Sequence, residues 1–181
     1  MSKSNKKIIT LLILTITIMS IIFLSGCTEE TDNNVPTDKW LFAMDTDNVR
    51  SKYQQDSWPR LIIIDSEGKI TYKGIGYHDK DSLIEKILQA KNGNAESLGD
   101  SVDFTVTTFN NQIFTLSEKK GKVVVIDLTG VNCYWCDKQM PELQEIQKEY
   151  GNDIILISID TNFSGETEQD VIDTYNKYML R

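Results

Sequence analysis

The chain has 181 residues, a formal net charge of −8 and 40% hydrophobic residues, which suits one globular domain with an extension. An acidic chain of this kind is a poor candidate for nucleic-acid binding, because phosphate recognition needs clustered Lys and Arg side chains. We therefore expect no nucleic acid among its partners.

The first 26 residues have the pattern of a secretory signal, with three lysines, an uncharged apolar run over residues 8–24 and then small residues. The tetrapeptide Leu24-Ser25-Gly26-Cys27 resembles the bacterial and archaeal lipobox, which implies cleavage before Cys27 and lipidation of its sulfur. An uncleaved membrane anchor is the alternative, although 17 uncharged residues are few for a spanning helix. Both interpretations place the rest of the chain outside the cytoplasm.

Loss of the three signal lysines would change the formal charge from −8 to −11. Anionic lipid headgroups repel such a chain, so we expect attachment to the outer face of the membrane to come from the lipid anchor. Residues 27–38 are polar and contain Pro36, which predicts a tether between this anchor and the folded part.

A first structured block spans residues 39–90, followed by a linker over residues 91–101 that contains glycine and asparagine and few apolar side chains. Apolar runs and turn residues predict the elements of the block. They are a strand at 40–44, a helix at 47–55 capped by Asp45 or Asp47, hairpin strands at 61–65 and 69–73, and a helix from Asp79 or Asp81 to residue 90.

A second block spans residues 102–181. The near-continuous hydrophobicity of residues 122–128 indicates a central strand that is covered on both faces. The other predicted elements are a hairpin with strands at 104–108 and 112–116, a helix from the Cys-x-x-Cys motif to about residue 150 with a kink at Pro141, a strand at 154–160 and a helix at 166–180.

The second block contains Cys133-Tyr134-Trp135-Cys136 at the start of its first predicted helix. Residues three apart lie on one face of a helix, so these two cysteines can reach disulfide geometry. A helix N-terminus favours the thiolate, which is the reactive form of the side chain. We therefore expect Cys133 to be the nucleophile and Cys136 to be the thiol that resolves the mixed disulfide.

If Cys27 carries lipid, the remaining two cysteines form one pair. A disulfide across two intervening residues constrains the unfolded chain little, which favours a redox role over an inert staple. Zinc normally takes four ligands, and the chain has one histidine, His78, so we expect no metal site. Copper(I) bound by two thiolates stays open, and we expect no cofactor beyond the Cys133–Cys136 disulfide.

Residues 123–136 resemble the strand, loop and helix start of thioredoxins, and Met140-Pro141-Glu142-Leu143 resembles the helix continuation of membrane-tethered TlpA/ResA-like proteins. The resemblance implies an α/β thioredoxin-like fold, with a central mixed sheet flanked by helices. It also implies that Asp127 is a buried carboxylate that accepts the proton of Cys136, with an ordinary strand-end aspartate as the alternative. The sequence departs from thioredoxins at Asn132, where they usually have tryptophan.

The two halves of this fold occur in the reverse order. The segment from Trp58-Pro59 to Ile70 resembles the cis-proline loop and following hairpin of the family, and here it precedes the Cys-x-x-Cys motif. A circular permutation that joins the old termini through residues 91–101 explains this order. A tandem pair that lost its middle and pairs between chains as a swapped dimer is the alternative.

Under either account the resemblance places a cis Pro59 beside Cys133. Trp58, Tyr134 and Trp135 would then contact a cysteine-containing segment of a protein substrate, while a core position for Trp58 is equally open. These features predict a lipid-anchored, extracytoplasmic thiol–disulfide oxidoreductase that acts on protein cysteines. The TlpA/ResA resemblance implies reduction, with electrons from a membrane thiol carrier. A non-catalytic copper(I) carrier is the competing hypothesis.

Overall fold

The computed structural model of the protein describes residues 40–162 and 164–179. The predicted signal at residues 1–26, the lipidation site at Cys27 and the tether at residues 27–38 lie outside the described residues. Within the described ranges, no helix is both long enough and apolar enough to cross a membrane.

The described residues form seven strands, four α-helices and one short 3-10 helix. In chain order these elements are β1 (Leu41–Met44), α1 (Val49–Lys52), β2 (Arg60–Ile64), β3 (Ile70–Ile75), α2 (Lys80–Lys91), β4 (Thr105–Thr107), β5 (Ile113–Thr115), the 3-10 helix (Leu116–Lys119), β6 (Val123–Thr129), α3 (Tyr134–Tyr150), β7 (Ile154–Asp160) and α4 (Glu168–Met179).

Five strands form one mixed sheet in the order β1-β7-β6-β2-β3. Strand β7 pairs in parallel with β1 and β6, whereas β2 pairs antiparallel with both β6 and β3. Strands β4 and β5 form a separate antiparallel hairpin. The expected fold class is therefore confirmed: a central mixed sheet flanked by helices, consistent with a thioredoxin-like fold. Both blocks of the sequence contribute strands to this sheet.

The sheet separates two hydrophobic cores. One face is covered by the three long helices, and its core contains residues from β2, β6, α2, α3 and α4: Leu61, Ile63, Leu83, Ile87, Val123, Val125, Met140, Leu143, Ile146, Val171 and Tyr175. The other face is covered by α1 and the β4–β5 hairpin. Strands β6 and β7 are buried at every position, which confirms that they are central strands covered on both faces.

The helix predicted at 47–55 is shorter than expected. It spans four residues, with Asp45 accepting hydrogen bonds from the N–H groups of Val49 and Arg50 at 2.7 and 2.9 Å. Gln54 then adopts a left-handed conformation, with φ at 53°, which ends the helical path. The N-cap is Asn48 rather than the predicted Asp45 or Asp47, although the Asp45 side chain does satisfy the first N–H groups of the helix. The predicted length is wrong because the chain leaves the helical path before residue 55.

The segment predicted as a linker is partly ordered against the sheet. Leu98 N–H donates to Ile70 O at 2.7 Å, and Ile70 N–H donates to Gly99 O at 2.9 Å. Residues 97–101 therefore run beside the start of β3. The predicted cap of the preceding helix is confirmed at Asp79, whose side chain accepts from Ser82 N–H.

Candidate redox site

The two cysteines of the motif lie at the start of α3. Cys133 is the N-cap of the helix and is bonded to Cys136 in a disulfide with a Cα–Cα distance of 5.1 Å. The N–H of Cys136 donates a hydrogen bond of 3.2 Å to the Cys133 sulfur. Cys133 is half-buried, whereas Cys136 is fully buried. An incoming group can therefore reach the first sulfur more easily than the second.

The backbone N–H directed at Cys133 is one of the unpaired donors at a helix N-terminus. A sulfur at this position faces the positive end of the helix dipole, and both contacts stabilise a negative charge on it. Asn132 precedes the cysteine with φ at 59°, which turns the chain from the β6 loop into the helix. This geometry can support a nucleophilic thiolate at Cys133 when the disulfide is reduced.

Asp127 lies on β6 and is completely buried. It shares the strand face of Val123 and Val125, which pack in the core beneath α3, because alternate residues of a strand point the same way. Burial raises the pKa of Asp127 to about 7, and a hydrogen bond from Ser158 opposes this rise. Its Oδ1 atom has no hydrogen-bond partner among the described residues. The carboxyl group can therefore exchange a proton near neutral pH.

Ser158 contacts this carboxyl group and Trp40 contacts Ser158. The sequence predictions assigned neither residue a role. The Ser158 hydroxyl donates to Asp127 Oδ2 at 2.8 Å, and the Trp40 indole N–H donates to Ser158 Oγ at 3.0 Å. Ser158 could have been noticed in the sequence, since it carries the one hydroxyl group in the otherwise apolar run of β7. Trp40 had none, because it lies 118 residues away from its partner in the sequence.

The Trp58–Pro59 peptide bond is cis, and Pro59 is buried. The next residue, Arg60, pairs with Leu128 at the carboxyl end of β6, which leads into the loop before Cys133. Pro59 and Cys133 are thereby brought to the same end of the sheet within one chain.

Trp58 is half-buried, with its ring held from two sides. Its indole N–H donates to the hydroxyl of Thr161 at 2.8 Å, just after β7. The guanidinium carbon of Arg50 lies 4.6 Å from the ring centroid. The tryptophan thus joins the cis-proline loop to the carboxyl end of β7 while leaving part of its surface accessible.

Tyr134 and Trp135 lie between the cysteines and are 64% and 54% exposed, with ring centroids 5.0 Å apart in an edge-to-face arrangement. Ile75 and Tyr77, at the end of β3 and just beyond it, are exposed as well. Contiguous exposed apolar side chains mark surfaces that bind a partner, and Tyr134 and Trp135 form such a pair.

The described residues contain no group of three or more His, Cys, Asp or Glu side chains placed to hold a metal ion. His78 contacts Tyr72 instead, with 3.2 Å between the tyrosine hydroxyl and Nδ1. The arrangement of the site offers acid–base and thiol chemistry from the side chains of the chain itself.

Comparison with known proteins supports this chemistry. The profile of the AhpC/TSA family matches residues 98–179, a range that includes Asp127, Cys133 and Cys136. The thioredoxin-like protein YneN of Bacillus subtilis (strain 168) is 27% identical over 77 residues, which are 41% of this chain and 45% of that protein. The chain thus matches less than half the length of this curated relative. No solved structure matches the chain at a significant level. The similarities support a thioredoxin-like superfamily and a thiol-based redox function.

Proposed function

We propose that the protein is an extracytoplasmic, membrane-tethered thiol–disulfide oxidoreductase that reduces disulfides in protein substrates. The observation that carries the proposal is the pairing of a half-buried Cys133 with a fully buried Cys136 at the N-terminus of α3, together with a buried Asp127 on the sheet face that α3 covers. Each of these groups supplies one step of thiol–disulfide exchange.

In the reduced protein, the Cys133 thiolate attacks one sulfur of a substrate disulfide. A mixed disulfide forms, and the other substrate sulfur leaves as a thiolate that takes a proton from solvent. Cys136 then loses its proton to Asp127 and attacks the Cys133 sulfur, which releases the second substrate sulfur as a thiolate that takes a proton from solvent. The substrate gains two electrons, and the protein reaches the Cys133–Cys136 disulfide that the structure contains.

Asp127 suits the role of proton acceptor because its pKa of about 7 lies close to ambient pH. A carboxyl group with an ordinary pKa near 4 would bind the Cys136 proton poorly. Because it is completely buried beneath the helix that bears the cysteines, bulk water has little access to it. The return to the reduced state needs a dithiol donor, which we infer to be a thiol carrier in the membrane.

The tether follows from the sequence pattern of residues 1–38. Lipid on Cys27 would hold the domain at the outer face of the membrane, and twelve residues at 27–38 reach at most about 40 Å when extended. A domain held within this distance of the bilayer can meet both a membrane donor and substrates that emerge from the membrane. The resemblance to TlpA/ResA-like proteins favours the reducing direction.

We also infer that the order of the two blocks arose by circular permutation. Support comes from the single sheet, in which β1 of the first block pairs with β7 of the second, and β2, which carries β3 on its other edge, pairs with β6. A swapped dimer would form the same sheet from two chains. Light scattering of the purified protein distinguishes these accounts, since we expect the mass of one chain and a swapped dimer requires two.

Reduction of insulin by the full chain tests the activity. We expect turnover with a dithiol donor, complete loss in Cys133→Ser, and accumulation of a mixed disulfide on Cys133 in Cys136→Ser. Turnover that is unaffected by the loss of Cys133 would contradict the proposal. Tight stoichiometric copper(I) binding without turnover would support the competing carrier instead.

Two further measurements test the direction of electron transfer and the attachment to the membrane. A reductase should have a reduction potential nearer about −270 mV, typical of thioredoxin, than about −120 mV, typical of a strong dithiol oxidant. The variant Cys27→Ser should retain insulin reduction and lose membrane attachment. Attachment that survives this change would favour the uncleaved anchor over residues 8–24, and the absence of lipid mass on the wild-type protein would contradict lipidation of Cys27.

A further inference from the structure

The helix that carries the cysteines is fastened to the loop after β3 by Gln139. This side chain is fully buried and binds both backbone groups of one residue, His78. Its Oε1 atom accepts from His78 N–H at 2.8 Å, and its Nε2 atom donates to His78 O at 3.0 Å. A single amide therefore satisfies two peptide groups that secondary structure leaves unpaired at this position.

Glu142 makes a second attachment three residues further along the same face of α3. One carboxylate oxygen accepts from the hydroxyl of Tyr77 at 3.0 Å, and the other accepts from the N–H of Lys80 at 2.9 Å. Lys80 is the first residue of α2, so this bond also satisfies one of the free donors at the start of that helix. We refer to Gln139 and Glu142 together as the loop clamp.

The clamped loop is itself bonded to the cis-proline segment. Gly76 N–H donates to Pro59 O at 2.9 Å, and Gly76 has φ at 78°, a conformation that glycine adopts readily. A continuous series of hydrogen bonds thus runs from α3 through the clamp and the loop to Pro59. Ile75, the last residue of β3, and Tyr77, within the loop, are both exposed.

The four bonds of the clamp connect residues that are 61 to 65 positions apart and belong to different blocks of the chain. The core beneath α2 and α3 is apolar, so its packing involves none of these four bonds. Hydrogen bonds have preferred directions, so they fix the orientation of the loop in a way that apolar packing does not. They define where the loop lies relative to the N-terminal turns of α3, at which Tyr134 and Trp135 are exposed.

We propose that Gln139 and Glu142 are positioning residues that hold the loop after β3, and through Gly76 the cis-proline segment, at a fixed place relative to Cys133. They thereby determine how an extended protein substrate binds. Neither residue touches the reacting sulfurs through any contact described above. This inference rests on the proposed thiol–disulfide oxidoreductase function and deepens it. The clamp then governs the binding of protein disulfides more than the reactivity of Cys133.

The test compares a protein disulfide with a small one in the full chain. The variant Gln139→Leu removes both bonds to His78, and Glu142→Ala removes the bonds to Tyr77 and Lys80. We expect KM for insulin to rise about tenfold in Gln139→Leu, since small displacements of binding groups have effects of this size or larger. The rate with cystamine, which is too small to reach the loop, should change by less than about twofold, because the Cys133 environment is retained.

Matched controls lie on the same helix. Gln144→Leu repeats the first substitution and Glu145→Ala repeats the second, at positions that do not contact the loop through any described bond. Both controls should keep the ratio of insulin to cystamine activity of the wild type. Glu142→Gln keeps one carbonyl acceptor, so its KM for insulin should lie between that of the wild type and that of Glu142→Ala.

Gln139→Leu leaves buried peptide groups of His78 unpaired and can destabilise the fold, so Glu142→Ala, at a half-buried position, provides the second variant. Equal loss of insulin and cystamine activity in Glu142→Ala, or no change in insulin KM, would overturn the clamp proposal. In both outcomes the dependence of activity on Cys133 would still stand. Activity that survives Cys133→Ser would instead overturn the proposed function itself.

Discussion

The hydroxyl of Ser158 donates a 2.8 Å hydrogen bond to the carboxyl group of Asp127 across the β6–β7 pair. The indole N–H of Trp40, which can only donate, fills one acceptor site of the Ser158 oxygen at 3.0 Å and does not compete for the serine proton. The serine proton is therefore available to Asp127. Burial raises the pKa of this carboxyl group and the serine bond lowers it, which leaves the pKa at about 7.

Replacing Ser158 by alanine should raise the pKa of Asp127 further, because the lost bond stabilises the charged carboxylate. We expect a rise of about one pH unit, the equivalent of about 1.4 kcal/mol for one hydrogen bond to a charged group. Carboxyl carbon NMR of the oxidised protein measures this value directly. Ser164→Ala, which removes a hydroxyl bonded to Glu166, is the control and should leave Asp127 unchanged. A lower pKa in Ser158→Ala would contradict the assigned direction of the bond.

Asp127→Asn should change the pH dependence of stability. The folded-state pKa of about 7 exceeds the value of 3.8 in the absence of the fold, so the folded protein retains a proton that the unfolded chain has released. Stability from this group is fully present below pH 3.8 and is lost as pH rises through about 7. The total loss approaches about 4 kcal/mol at 1.36 kcal/mol per pH unit.

Urea unfolding of the oxidised protein between pH 4 and pH 8 measures this dependence. We expect Asp127→Asn to gain in unfolding free energy relative to the wild type as pH rises. Part of the decline should remain in the variant, because burial also raises the pKa of Asp160 to about 7. Parallel curves for the two proteins would show that Asp127 keeps its charge in the folded state.

The same variant should slow the second chemical step. Without the carboxylate, Cys136 has no internal acceptor for its proton, and general-base catalysis of this type is worth at least about a hundredfold in rate. We expect the mixed disulfide between Cys133 and substrate to accumulate in Asp127→Asn, as detected by mass spectrometry under non-reducing conditions. Formation of the mixed disulfide should be nearly normal. A slow first step with no accumulation would place the role of Asp127 elsewhere.

Much of the fold could be predicted because its signals are local. The apolar run at residues 154–160 predicts β7 with the observed bounds, and the helix cap at Asp79 needs only the N–H of Ser82. The shorter helix at Val49–Lys52 and the pairing of residues 97–101 with Ile70 were missed. Both depend on contacts that become available only after the chain has folded back on itself.

The site divides in the same way. Cys133 and Cys136 are recognisable from four consecutive residues, whereas the groups that orient the site come from distant segments. Ser158 is 31 residues from Asp127, and Gln139 is 61 residues from His78. A single sequence specifies reactive groups by local spacing, but it does not specify which buried polar side chains will meet across the sheet.

Cutting the chain between the two blocks should leave the domain assembled. Ala95 and Glu96 lie between α2 and the segment that pairs with β3, so a protease site inserted there interrupts no described hydrogen bond. After cleavage, the fragments should remain together, because β1 pairs with β7 and β2 pairs with β6 across the cut. Gel filtration of the cut protein should therefore give one peak, and insulin reduction should persist.

Cleavage turns an intramolecular assembly into an intermolecular one, so the thermal midpoint should fall and should depend on protein concentration. The uncut protein with the same insertion is the matched control, and its midpoint should not vary with concentration. Strong urea should separate the two fragments and abolish activity, because the Cys133–Cys136 disulfide lies within one fragment and cannot hold them together. Fragments that separate under native conditions would instead show that each block folds as an independent unit.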